Sequence, residues 1–354
     1  MILESLIIGF FSSMNLFLFY ILFEAMLVPM YFIIGCWGGE DRVYAAIKFF
    51  LYTFLGSLLF LFAMIMIYMK MGSFDITYLV KNKTILYQML PSWIWWLIFI
   101  AMAVKVPMVP LHTWLPDAHV QAPTSGSVIL AGILLKVGGY GMIRVLLQIF
   151  GEFSSYYAHY PIYLGIFAVI YASLVAMAQK DMKKMIAYSS VAHMGYVTAG
   201  IFTMSQVGVE GAVYQMISHG IISSGLFLSV GVVYDRMHTK AIADYGGVAA
   251  KMPIFATLFM VLVMGSIGLP GTSGFVGEFL SLVGVFKQDI YMAILGTFGV
   301  ILGAVYMLSL YKRVMLGQIV NAKVNEMKDL YITEISSLVP LVILLIYIGL
   351  QPEM

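Results

Sequence analysis

The sequence holds a single cysteine, Cys36, in 354 residues. That excludes both a disulfide framework and a cysteine-ligated iron–sulfur cluster within the chain. Charge is equally scarce: Asp, Glu, Lys and Arg together make up 10% of the residues, and the net charge is only +2. So small an excess gives no basic footprint for nucleic acid. There is no strand–GxGxxG–helix unit and no GxxxxGK[ST], so neither dinucleotide nor nucleotide fingerprint is present. Any redox chemistry is therefore expected in other chains. No Lys or Arg precedes Arg42, which speaks against a basic signal-peptide start or an Arg-rich transit peptide. The expectation is a product of an organelle or a bacterium, inserted directly.

What the chain has is apolar length. It is 62% hydrophobic with a mean hydropathy of +0.97, the composition of a polytopic all-α membrane protein. Ten segments of spanning length are expected, near 14–35, 45–69, 93–115, 124–149, 161–179, 184–204, 210–235, 253–286, 290–311 and 331–350. Residues 1–12 are apolar but too short to cross a bilayer, and read as a partial helix. The third segment is broken by Pro107, Pro110 and Pro116. The eighth carries Gly265, Gly268, Pro270, Gly271, Gly274 and Gly277. Two discontinuous helices five segments apart suggest two inverted five-helix repeats. A single membrane domain is expected over 1–354: a partial helix and first repeat to 149, a second repeat over 150–313, and a terminal helix over 314–354. Eleven of the fifteen basic residues in loops fall on one side, which the positive-inside rule assigns to the cytoplasm or matrix.

The polar residues inside these segments are the candidate site. Lys105 and Lys136 lie in mid-segment, where a charge costs roughly 2.5–3.5 kcal/mol. Desolvation disfavours an ammonium and a nearby carboxylate favours it, so a lysine whose partner moves would bind and release a proton. Glu24 sits in the middle of LFLFYILFEAMLVPMYFII, and Glu278 just past the second break in GLPGTSGFVGEFL. His112, His193 and His219 are expected to relay protons; their spacing gives no zinc pattern. His119 is expected at an interface, in a loop. Lys48 and Arg144, nearer helix ends, are expected to snorkel. Methionines and aromatics are expected to form packing and lipid-facing surface. Small residues in AGILLKVGGYG and GGVAA should let helices approach closely.

Long stretches of the chain, FEAMLVPMYFIIGCWGG, AVKVPMVPLHTWLPDAHVQAPTSGSVILAGILLK, KKMIAYSSVAHMGY, ISHGIISSGLFLSVGVVYDR and LPGTSGFVGEFL, resemble the antiporter-like membrane subunits of respiratory complex I, NADH:ubiquinone oxidoreductase. Within that family they most resemble the subunit 4, or chain M, type. Glu278 is the discriminating position, since the related subunits 2 and 5 usually carry lysine there. The resemblance implies that Glu24 and Lys105 form the first-half ion pair and that Lys136 is the central-axis lysine. It also implies that Glu278 is the terminal acid, with His112, His193 and His219 on the connecting polar axis. It implies no cofactor in this chain, with flavin, iron–sulfur clusters and ubiquinone in partner subunits.

The resulting expectation is a proton-translocating subunit in the membrane arm, driven by quinone reduction elsewhere. Its partners would be other membrane-arm subunits, including neighbouring antiporter-like ones, and lipids. The mitochondrial inner membrane is the expected location, with a bacterial plasma membrane as the alternative. Relatives start several helices earlier, so a separate chain is expected to supply the missing N-terminal helices. A multisubunit sodium/proton antiporter shares the fold and lysines. A non-pumping structural remnant would be expected to lose the costly buried charges, and all four remain.

Overall fold

A computed structural model describes residues 1–319 and 321–352. Each of the ten expected segments is helical. Seven helices have both the length and the apolarity of a span: Leu16–Trp37, Arg42–Met71, Thr124–Leu147, His159–Met177, Gln206–Met237, Ile290–Met315 and Ile332–Leu350. An eighth is counted if Lys83–Met89 and Trp93–Lys105, bent by 107° at their junction, form one span. The other segments fall short for two different reasons. Met182–Phe202 has 21 residues, but every one except Lys184 and Tyr188 is buried. A helix wrapped in protein need not be apolar, and this one carries Ser189, Ser190, His193 and Thr198. The segment over 253–286 is instead cut into Pro253–Ile267 and Ser273–Phe286. The opening residues form the short apolar helix Ile2–Ser12.

The outward helix faces explain the composition. On Arg42–Met71, Leu51, Leu55, Leu58, Phe62 and Ile65 are exposed, while Thr53 and Ser57 are buried. The spacing is helical, but the polarity is reversed relative to a soluble helix, as a lipid-facing stripe requires.

The chain divides into two compact units, 1–126 with 133–161 and 127–132 with 162–354. Each unit closes a helical hairpin in the same way. In the first, Asn15 caps the helix from Leu16, its side chain accepting from the Phe17 and Leu18 N–H groups. The Leu16 N–H donates to the Phe74 carbonyl at 2.8 Å and the Ile76 N–H to the Met14 carbonyl at 3.0 Å. In the second, Asp181 caps the helix from Met182 by accepting from the Lys184 N–H. The Met182 N–H donates to the Lys240 carbonyl at 3.0 Å and the Ile242 N–H to the Lys180 carbonyl at 2.9 Å. The paired residues, Asn15 with Asp75 and Asp181 with Ala241, stand 60 positions apart in both. Gly72 at φ 67° and His238 at φ 58° end the two hairpins in the left-handed region, where a helix C-terminus commonly stops. The same clasp at the same separation thus recurs once in each unit.

Each unit has its own core. In the first, Phe10, Phe19, Phe23, Phe60 and Tyr140 interlock, with Phe10 and Phe19 ring centroids 4.2 Å apart. In the second, Phe255, Phe259, Leu262, Tyr306, Met307 and Leu310 belong to one buried cluster.

Candidate functional site

In the first unit the charges gather where a helix stops. The Trp93–Lys105 helix ends on Lys105, and the turns over 106–113 follow. Carbonyls released by the break need partners at membrane depth. The Trp114 indole donates to the Val104 carbonyl at 2.9 Å, and the Met108 N–H donates to that of Ala103 at 2.9 Å. A helix C-terminus carries partial negative charge, which favours a cation. Lys105 sits there, buried to 5% exposure. Its ammonium lies 4.5 Å from the centroid of the Phe23 ring, a cation–π contact.

Glu24, the residue after Phe23, is half-buried. Its carboxylate and the Lys105 ammonium feel each other's charge, while the nearby Ser57 hydroxyl donates to the Phe54 carbonyl at 2.7 Å. No ion pair within 4.0 Å joins Glu24 to Lys105 among the described residues. The Glu24 Oε1 is enclosed and has no hydrogen-bond partner there. The fold therefore brings the two together within electrostatic reach and stops short of contact.

Lys136 is also buried, at 7% exposure. It follows a π-helical stretch, Leu130–Leu134, and a second one, Met142–Leu147, begins six residues later. Such widened turns often occur at functional positions. Gly138 and Gly141 follow the lysine for a packing reason. A Cβ on Gly138 would meet the Met102 carbonyl oxygen and the Val106 N at 2.9 Å each, and one on Gly141 would collide with the Met102 sulfur. Only glycine lets the Lys136 helix approach the end of the Lys105 helix so closely.

His112 is buried in the turns after Lys105, and its ring bonds to the Pro110 carbonyl. Two expectations in this unit are corrected, those for Lys48 and His119. Lys48 does not snorkel: its ammonium pairs with Asp117 at 2.6 Å. Arg144 donates to Gln148 Oε1 at 2.6 Å and contacts the Met14 sulfur, both on exposed side chains. His119 is not at an interface or in a loop. It lies fully buried on the Trp114–Gln121 helix.

The second unit makes its centre from direct contacts. Past the break at 268–272, the Ser273–Phe286 helix carries Glu278, which is 5% exposed. Its Oε1 lies 2.8 Å from His193 Nδ1 and accepts from Gln215 Nε2 at 3.3 Å. His193 Nε2 lies 3.4 Å from the Ser266 hydroxyl, and its ring centroid is 5.6 Å from that of His219. Two cavities border this cluster, each with about 10 Å³ of room for a water centre, roughly the space of one molecule. One is lined by Ser189, Gln215, His219 and Ser223, the other by Tyr196, Tyr306 and Ser173, and both reach His193 and Glu278. Lys183, one of the eleven basic residues expected in loops on the cytoplasmic or matrix side, is buried, with its ammonium 3.5 Å from the Ser127 hydroxyl.

Gln215, Ser266, Tyr196 and Tyr306 were not singled out in the sequence. Gln215 had a readable signal, since it stands one helical turn before His219 on the same face. Among the described residues no group of three or more His, Cys, Asp or Glu side chains is placed to hold a metal.

Buried ionisable groups at two broken helices, within a lipid-facing all-α fold, define a membrane protein built around charge inside the bilayer. Residues 13–305 match the model of the family described as NADH:quinone oxidoreductase/Mrp antiporter, transmembrane. The chain belongs to this family. It is 62% identical over 353 residues to the NADH-quinone oxidoreductase subunit M of Rickettsia felis, covering all of this chain and 72% of that protein. It is 45% identical to the NADH-ubiquinone oxidoreductase chain 4 of Marchantia polymorpha, covering 99% of this chain and 71% of that one. A chain in the structure of respiratory complex I from Thermus thermophilus with bound NADH superposes with a TM-score of 0.92 at 32% identity. That match covers 99% of this chain and 74% of that one.

Proposed function

We propose that this chain is a proton-translocating subunit in the membrane arm of a respiratory NADH:quinone oxidoreductase. The observation that carries the reading is the burial of one ionisable centre at the helix break of each unit: Lys105 with Glu24, and Glu278 with His193. Charges so placed cost several kcal/mol and mark ion paths. In this reading, quinone reduction in partner subunits changes the separation between Glu24 and Lys105. Lys105 then gains or loses its proton as its partner recedes or returns. Lys136 and His112 carry the proton within the first unit. His219, His193 and Glu278 carry it in the second, with single waters in the small cavities.

The chain's own redox role is none in this reading; flavin, iron–sulfur clusters and quinone belong to partner subunits. Neighbouring antiporter-like subunits flank it. The basic side, with Lys240, Lys251, Lys312, Arg313 and Lys323, faces the cytoplasm or matrix. The membrane is the mitochondrial inner membrane or, as the Rickettsia relative favours, a bacterial plasma membrane. The family also includes Mrp antiporters. Identities of 62% and 45% to oxidoreductase subunits support the respiratory assignment.

The test is Lys105→Met in the assembled complex, reconstituted into sealed vesicles. Proton uptake driven by NADH oxidation should fall while the complex stays whole. Unchanged pumping would overturn the role of Lys105. Purification of the chain without flavin and iron–sulfur subunits, in a sodium/proton exchanger, would overturn the respiratory assignment.

A further inference from the structure

Glu278 uses only one of its oxygens inward. Both of its hydrogen bonds fall on Oε1. Oε2 has no hydrogen-bond partner among the described residues, yet it is not one of the enclosed polar atoms. It borders open space. Gly268 shows on which side: a Cβ there would stand 3.0 Å from Oε2. At φ 77° that position also favours glycine for its backbone.

Gly268 and Glu278 both line a groove of about 410 Å³ between the Ser273–Phe286 and Ile290–Met315 helices. Its walls are apolar. Phe275, Phe279 and Leu282 form one side, spaced along a single helix face, and Ala293, Thr297 and Ile301 form the other. Phe279 and Ile301 are more than half exposed, so the groove opens on the outer surface of its unit. Small-molecule sites have this character: about 300–1,000 Å³, apolar walls, and a few placed polar groups. The polar group at the floor is here a carboxylate with an unfilled oxygen. An apolar channel ending in an acid complements a molecule with an apolar body and a cationic hydrogen-bond donor at one end.

We propose that this groove is a bilayer-facing site for amphiphilic cations, alkyl amines or guanidines, whose head seats on Glu278 Oε2. The inference rests on Glu278 being a proton carrier only for its consequence. An occupied Oε2 holds the carboxylate charged, so the same ligand would inhibit pumping. The binding itself stands on geometry alone.

The intact oxidoreductase in sealed proteoliposomes is treated with dicyclohexylcarbodiimide, which is lipid-soluble, and with a water-soluble carbodiimide. The reagent adds a carboxyl oxygen to its central carbon while the carboxyl proton passes to its nitrogen. The resulting O-acylisourea rearranges to a stable N-acylurea that is read by peptide mass. The expected result is an adduct on Glu278 from the lipid-soluble reagent only. Saturating dodecylguanidinium should suppress that adduct about tenfold, the ratio of a modest binding preference, whereas dodecanol and dodecanoate should not. Ala293→Phe, which fills the groove, should abolish labelling while NADH oxidation continues.

No adduct on Glu278 would mean that the groove is closed, by a neighbouring subunit for instance, and would overturn the proposal. Equal protection by dodecanol would overturn the cationic specificity. Labelling and competition on the native protein decide the matter if the variant does not assemble. Lys105→Met separates the two readings, since it should remove pumping and leave Glu278 labelling intact.

Discussion

The two units place opposite charges at their broken helices and hold them differently. In the first, the cation Lys105 is the final residue of the half-helix before the break; in the second, the anion Glu278 lies on the half-helix that follows it. Each sign suits its end of the backbone dipole, strongly for Lys105 at the terminus and more weakly for Glu278, which is beyond the first turn. The difference lies in the partner. Glu24 reaches Lys105 through space without an ion pair, whereas His193 touches Glu278 at 2.8 Å with Gln215 alongside. A loose pair changes its energy steeply with a small displacement. A tight one resists displacement and passes a proton along a formed hydrogen bond. In the proposed function, the first unit is then the one that responds, and the second the one that conducts.

The largest effect should come from Lys105→Met, which removes the responding charge. Pumping per NADH oxidised, read from a pH-sensitive dye in proteoliposomes, should drop about tenfold or more. Lys105→Arg should retain part of it. Equal pumping by Met and Arg variants would mean that charge at the first break is irrelevant.

A second comparison uses paired substitutions and the thermal dissociation of the complex. His193→Ala combined with Glu278→Gln should show a coupling energy of about 1–3 kcal/mol, as contacting buried groups do. Glu24→Gln with Lys105→Met should couple by less than about 1 kcal/mol. The reverse order would break the contrast between tight and loose pairs.

Packing gives a smaller test. Gly138→Ala should destabilise by about 1–3 kcal/mol, because the added methyl meets backbone atoms of the Lys105 helix. Gly303→Ala in the second unit should be neutral or stabilising, by up to about 1 kcal/mol, since the nearest atom to its Cβ would be 3.9 Å away. Oxygen uptake after graded heating would rank the two.

The least disruptive test concerns orientation. Cysteines replacing Lys240 and Lys323 should react with impermeant maleimide from the cytoplasmic or matrix face only, with activity unchanged. Reaction from the opposite face would reverse the proposed orientation.

Much of this arrangement was legible. Prolines and glycines in apolar runs located both breaks, and the cost of burying Lys105, Lys136, Glu24 and Glu278 singled them out. What stayed hidden depended on partners far apart in sequence. Lys48 looked like a snorkelling lysine because Asp117 is 69 residues away. His119 looked like an interface residue because Asp117 and the preceding prolines resemble a loop, although the chain coils again at Trp114. The all-round burial of Met182–Phe202 has no hydropathy signature, since such a helix is judged against a lipid it does not meet. The π-helical turns around Lys136 depend on a single residue's worth of register, which a 3.6-residue pattern averages away.

The hairpin clasps described in each unit set how these units can deform. A pair of helices buttoned by two backbone hydrogen bonds behaves as a strut, because opening it would give up both bonds at once. Struts transmit displacement without absorbing it. In each unit a broken helix stands outside the clasped pair, with backbone groups already released from the helical ladder. Within each unit, a push on the clasped pair would therefore arrive almost undiminished at that unit's compliant joint, the place where its buried charge is kept.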